Sequence, residues 1–208
     1  MIVLSHRGYW KTPEEKNTEA AFRRSFDLGF GTETDFRDLD GEIVIAHDPP
    51  RAGALTAATC LSLLGDPSLP IAVNVKADGL AAGLAEMARR AGLRDWFAFD
   101  MSVPDTLQQL RAGNPVFCRL SEYEADGPLT RRAAGIWLDA FEDVWYGPDL
   151  LRALLARGQR VCVVSAELHR RDPAAQWAML RDLAGAPGLM ICTDLPEEAR
   201  AAFGGDGP

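Results

Sequence analysis

Histidine is scarce in this chain, with 3 among 208 residues, and cysteine is nearly as rare, with 4. No Cys-x-x-Cys spacing occurs, which removes the usual redox and zinc-ribbon arrangements. Cys118, Cys162 and Cys192 each sit inside an apolar run, where a free thiol behaves as a small buried hydrophobe. Reduced thiols in a cytoplasmic protein are therefore expected. Positive charge is also in short supply: 22 Lys and Arg against 30 Asp and Glu give a net charge of -8. So acidic a chain is poorly suited to nucleic acid, which needs a basic surface. A local Arg/Lys cluster can still make one pocket attractive to phosphate. No apolar run approaches the ~20 residues of a membrane-spanning helix. The amino terminus enters a strand at Ile2 without the basic start and apolar stretch of a secretory signal. No Gly-x-Gly-x-x-Gly follows that first strand, which counts against a dinucleotide-binding sheet.

What the chain does have is rhythm. It is 47% hydrophobic, and β-branched apolar runs alternate with Ala/Leu/Arg-rich helical stretches. Strands are expected at 2–5, 30–36, 71–75, 96–100, 115–120, 134–138, 160–165 and 188–192. Helices are expected at 17–28, 56–64, 79–91, 104–112, 148–157, 173–184 and 196–203, with Asn17, Pro148 and Pro173 as start signals. Gly127 and Pro128 argue against a helix over 121–133. Eight strands alternating with helices predict an α/β fold, a TIM (β/α)8 barrel, as one domain over residues 1–208. Asp40-Gly41, between two short strands, adds a β-hairpin that would carry His47 back towards Glu33 and Asp35. The tail Gly204-Gly205-Asp206-Gly207-Pro208 is expected to fray.

In such a barrel the carboxyl ends of the strands form the working face. Polar residues gather there: His6 and Arg7, Glu33 and Asp35, Asn74 and Lys76, Asp100 and Ser102, Arg119, Ser121 and Glu122, Asp139, Ser165 and Glu167, Thr193 and Asp194. Glu33 and Asp35, two apart on a strand, project to the same side. Paired carboxylates repel unless a cation or proton lies between them, and a hard divalent ion suits them. Asn74-x-Lys76 has the same geometry: Asn74 offers a neutral oxygen, Lys76 a positive charge. Two of the three histidines, His6 and His47, follow apolar strands near this pair and suit acid/base work. His169 reads as a loop residue. Tyr123 and Trp145 are candidates to line an open groove for a sugar or alcohol.

His6-Arg7-Gly8, Asn17-Thr18 with Ala21-Phe22, Gly31 with Glu33-x-Asp35, Gly41, and His47-Asp48 together resemble the glycerophosphodiester phosphodiesterases, of the phospholipase-C-like phosphodiesterase superfamily. The resemblance is close over residues 3–48 and thinner beyond. It implies His6 and His47 as catalytic histidines, Glu33 and Asp35 as ligands of Mg²⁺ or Ca²⁺, and Arg7 and Lys76 as contacts to a small phosphodiester substrate. Two departures stand out. Where the family has Glu-x-Lys on its third strand, this chain has Asn74-x-Lys76, so Asn74 would be a neutral third ligand. The interval 49–70 is too short for the insertion subdomain common in relatives. These departures keep open two alternatives: a non-catalytic binder of phosphates or sugar phosphates, and a lyase that stops at a cyclic phosphate.

Overall fold

The computed structural model of the chain describes residues 1–204; the expected frayed tail lies, past Gly204, outside the described residues. β1 (Ile2–His6) leads through a loop to α1 (Glu19–Asp27) and β2 (Gly31–Leu39). β3 (Glu42–Ile45) returns antiparallel along β2, pairing Leu39 with Glu42 and Phe36 with Ile45. Asp40 (φ 51°) and Gly41 (φ 86°) are both left-handed, as a two-residue hairpin turn matched to strand twist requires. Then follow α2 (Ala57–Ser62), β4 (Ile71–Val75), α3 (Ala81–Ala91), β5 (Trp96–Phe99) and α4 (Val103–Arg111). The remainder runs β6 (Phe117–Leu120), β7 (Gly135–Leu138), α5 (Pro148–Ala156), β8 (Arg160–Val164), α6 (Ala174–Leu180), β9 (Leu189–Thr193) and α7 (Pro196–Phe203). Between β6 and β7 lies only a 3-10 turn at Thr130–Arg132, as Gly127 and Pro128 foretold.

The strand order is β5-β4-β2-β1-β9-β8-β7-β6, with β3 beside β2 off this path. Chain-sequential parallel strands joined through helices are the (β/α)8 topology. The segment between β3 and β4 holds α2 and no inserted subdomain. By internal contacts the chain divides into two units, Ser5–Val116 and Met1–Leu4 with Phe117 onward.

Within Ser5–Val116 the strand faces sort by chemistry. Phe36 of β2, Ile71, Val73 and Val75 of β4, and Ala98 of β5 pack with Phe22, Phe26, Leu61 and Leu84 of the helices. Each large apolar side chain so buried gains ~1.5–3 kcal/mol. That fixes the register, because a slip of one residue would send all of them to the opposite face. The alternate positions then face away from the helices: Glu33 and Asp35 on β2, Ala72 and Asn74 on β4, Phe97 and Phe99 on β5. The pairing aligns Glu33 with Ala72 and Asp35 with Asn74, and Asn74 in turn with Phe99. Buried hydroxyls tie the start of this unit together, with Ser5 Oγ 2.7 Å from Ser25 Oγ and Ser25 Oγ 2.8 Å from Thr32 Oγ1.

In the other unit, β6–β9 pair in parallel order. Ile136, Leu138, Leu151, Leu154, Val161, Val163, Leu180 and Ile191 are buried there. Cys60, Cys162 and Cys192 are buried free thiols, and Cys118 is half-buried.

Candidate active site

The carboxyl end of β1 breaks into a turn at Arg7 (φ 58°) and Gly8 (φ 79°). Only glycine fits the second position, since a Cβ there would lie 2.9 Å from both the carbonyl carbon and the Cβ of Ala21 on α1. The turn directs the Arg7 N–H at Glu33, donating to its carbonyl at 2.9 Å and to Oε2 at 3.1 Å. His6 Nε2 stands 4.0 Å from the same Oε2.

Asp35 is fully buried and is the hub of the site. Its Oδ2 lies 3.0 Å from Arg7 Nε, an ion pair rather than an aligned hydrogen bond. The same oxygen accepts from Asn17 Nδ2 at 2.8 Å. Lys76 Nζ sits 3.6 Å from Asp35 Oδ1 and 3.4 Å from Asp100 Oδ2. Lys76 thus straddles two carboxylates, and Asp100, expected only as a strand-end candidate, is the second. Arg7, Asn17 and Asp100 all have positive φ, a conformation that costs a non-glycine residue about 1–3 kcal/mol and collects at functional sites.

Asn17 departs from its sequence reading. The helix begins at Glu19, and its cap is Thr18, whose side chain accepts from the Ala21 N–H. Asn17 instead turns its amide into the site, with Oδ1 accepting from Thr34 Oγ1 at 2.8 Å while Nδ2 holds Asp35. A left-handed asparagine is the usual alternative to glycine, so the residue type carried a signal that the capping reading absorbed.

The hairpin returns the chain to the site strand as expected: the Ala46 N–H donates to the Asp35 carbonyl at 3.0 Å. His47 follows. Its carbonyl accepts from Arg37 Nε at 3.0 Å, and its ring Nδ1 lies 2.9 Å from Asp48 Oδ1, with the side chain about half exposed. Ser102, another strand-end candidate, caps α4 by accepting from the Asp105 N–H and is structural.

Two oxygens on this face receive no hydrogen bond, and one buried carboxyl beside them is short of charge balance. Asp35 Oδ1 and Asn74 Oδ1 are buried and receive no hydrogen bond. Glu33 is 1% exposed. Burial, and then the negative charge of Asp35, push its carboxyl up to about 7 against the pull of His6, Arg7 and Lys76. Buried acceptors without donors are what a hard cation satisfies, so the donor set fits such an ion. It fits only with the amide included: among the described residues no three His, Cys, Asp or Glu side chains group closely enough to hold a metal by themselves.

In the other unit the strand ends are occupied differently. Glu167 accepts from Ser165 Oγ, from Thr193 Oγ1 at 2.5 Å and from the Asp194 N–H at 3.2 Å, clamping the ends of β8 and β9. Asp139 binds His169, which is no isolated loop residue, Nε2 to Oδ1 at 2.7 Å.

No protein-family model and no curated protein matches the sequence. Solved structures do match its fold. A glycerophosphodiester phosphodiesterase from Agrobacterium tumefaciens aligns over 97% of this chain and 99% of its own, with a TM-score of 0.67 at 18% identity. A Ca²⁺-dependent phosphatidylinositol-specific phospholipase C from Streptomyces antibioticus aligns over 96% and 95%, with a TM-score of 0.59 at 14% identity. Phosphoribosyl anthranilate isomerase from Thermus thermophilus aligns over 98% and 97%, with a TM-score of 0.54 at 16% identity. The fold is the TIM barrel. Because an isomerase shares it, function must be argued from the site.

Proposed function

We propose that this chain is a phosphodiesterase of the glycerophosphodiester phosphodiesterase type, acting on a small phosphodiester beside a divalent cation. The observation that carries the reading is the face built by Glu33, Asp35 and Asn74: two buried carboxylates and an unpartnered amide oxygen, flanked by Arg7 and Lys76, with His6 at its rim. Sugar binding alone does not call for two cations on one buried carboxylate.

Glu33, Asp35 and Asn74 would hold Mg²⁺ or Ca²⁺. When bound, that ion supplies Lewis-acid polarisation of a phosphoryl oxygen. The chain's own residues do the rest. Arg7 and Lys76 attract the phosphate and offset the charge that builds on its oxygens. The Asp35 carboxylate, itself held by the Asn17 amide, keeps the Arg7 side chain in place. Glu33 Oε2 stands 4.0 Å from His6 Nε2, and Asp48 Oδ1 stands 2.9 Å from His47 Nδ1, which orients the second ring. One histidine takes a proton from the attacking oxygen and the other gives one to the leaving alkoxide. The solved enzymes named for phosphodiester and phosphoinositide cleavage share the fold and support this reaction class. Four free thiols suit the reducing cytoplasm as its location.

Phosphorus NMR of glycerophosphodiesters incubated with the protein and Mg²⁺ or Ca²⁺ tests the reading. The expected result is conversion to a phosphomonoester. A cyclic phosphate that accumulates without opening would make the protein a lyase. Intact diesters throughout, under either ion, would remove the enzymatic reading and leave the phosphate-binding one.

A further inference from the structure

The alternation of strand residues treats Lys76 and Asp100 differently. Lys76 follows Asn74 by two residues and so shares its face, and its N–H donates to the Phe36 carbonyl at 2.9 Å. On β5 the same alternation packs Ala98 with the helices. A strand continued by two residues would send Asp100 after it, into the helix layer. Asp100 instead has a left-handed backbone (φ 72°), a region that Asp and Asn enter more readily than most side chains. Its carboxylate faces Lys76, with Oδ2 accepting from Nζ at 3.4 Å.

The loops that follow the two strands are tied to one another. Ser102 Oγ donates to both Asp78 carboxylate oxygens at 3.1 Å. The Gly79 N–H donates to Oδ1 of the buried Asp105 at 2.8 Å. These bonds hold the ends of β4 and β5 together, and with them the pairing of Lys76 with Asp100.

Asp35 is served unevenly by its neighbours. Oδ2 faces Arg7 Nε at 3.0 Å and accepts from Asn17 Nδ2 at 2.8 Å. Oδ1 receives no hydrogen bond among the described residues, although Lys76 Nζ is 3.6 Å away. Asn74 Oδ1, on the residue aligned with Asp35, is likewise buried without one. An ammonium free to settle on a buried carboxylate closes to about 2.8 Å. Lys76 stops short of that.

We propose that Asp100 is a positioning residue for the cation site: by holding Lys76 Nζ, it keeps that ammonium from closing on Asp35 Oδ1 and leaves the oxygen open to a divalent ion. An ammonium and a divalent ion compete for the same lone pairs. With Asp100 in place, Lys76 stays close enough to meet a phosphate while Oδ1 stays open. Without it, the ammonium has one carboxylate left and settles there. Asp100 acts through Lys76 and does not itself touch the ion. The inference rests on the cation-assisted reading proposed above and names a residue that sets how readily the ion enters.

Calorimetric titration of the full chain with Mg²⁺ and with Ca²⁺ tests it without any turnover, in the wild type, Asp100→Asn, Lys76→Met and the double variant. Asparagine suits the same left-handed backbone. The expected result is that Asp100→Asn weakens binding about tenfold, the scale on which neighbouring charges couple. Added to Lys76→Met, the same change should cost less than about threefold, because the competing ammonium is gone. Unchanged affinity in Asp100→Asn overturns the proposal. So does an equal loss in both backgrounds, which would mean that Asp100 attracts the ion by its own charge. Either result leaves the cation reading intact, whereas a wild type that binds neither ion removes that reading and this inference with it. If circular dichroism shows that Asp100→Asn has lost its fold, Asp100→Gly, which accepts the same dihedral, replaces it and is judged by the same outcomes.

Discussion

Asn74 stands directly across from Asp35 in the parallel pairing of β4 with β2, and the Oδ1 atoms of both are buried without a hydrogen bond. Adjacent strands in parallel register place these side chains on one face. A neutral amide here, rather than a carboxylate, leaves Asp35 to share its charge with Arg7 and Lys76 and lowers the pull of the face on a cation.

Asn74→Glu should therefore tighten the binding of Ca²⁺ or Mg²⁺ by about tenfold or more, because affinity rises with the number of charged ligands. Calorimetric titration of both proteins measures it. Unchanged or weaker binding would mean that residue 74 does not contribute to the ion's site.

The Glu33 carboxyl, pushed up to about 7 by burial and by Asp35, makes a pH prediction. Between the ordinary carboxylate value and about 7, native Glu33 keeps a proton that the unfolded chain has released. Stability must then fall as pH rises through that window, and the loss is complete above it. Burial effects of this kind amount to a few kcal/mol. Urea unfolding at pH 5 and pH 8 should show the fall in the wild type and a much smaller one in Glu33→Gln. Added divalent cation should return part of the stability at pH 8 in the wild type alone.

Gly8→Ala meets the backbone of α1 at 2.9 Å with φ at 79°. Both strain and overpacking act, and the expected destabilisation is about 2–4 kcal/mol. Gly29→Ala is the control: it shares the positive φ but meets nothing within 4 Å, so it should lose only about 1 kcal/mol. Denaturant midpoints of the two variants separate the clash from the dihedral cost.

Most of the fold was readable before any coordinates, and for a physical reason. Strands such as Ile71–Val75 are buried on both faces and appear as continuous apolar runs, while Gly92, Gly113 and Gly158 end helices in left-handed conformations that few other residues accept. The Asp40-Gly41 turn was legible for the same reason. The site was less so. Glu33, Asp35, Asn74 and Lys76 followed from strand periodicity, since a period of two puts them on one face. Asn17 was misread because Asn before a helix signals both a cap and a left-handed turn, and only the contact with Asp35 separates the two. The pairing of Asp139 with His169 joins residues 30 apart in sequence, and no periodicity reports a contact of that kind.

The central claim is that His6 and His47 serve one phosphodiester cleavage. Its most direct test is the turnover of a glycerophosphodiester by His6→Ala, His47→Ala and the double variant, under saturating Mg²⁺ or Ca²⁺. Each single change should cost about 10²–10⁴-fold in kcat, and the double variant should be little slower than the slower single one, because groups acting in one step are not additive. Single variants that keep wild-type turnover, or losses that multiply in the double variant, would contradict the account.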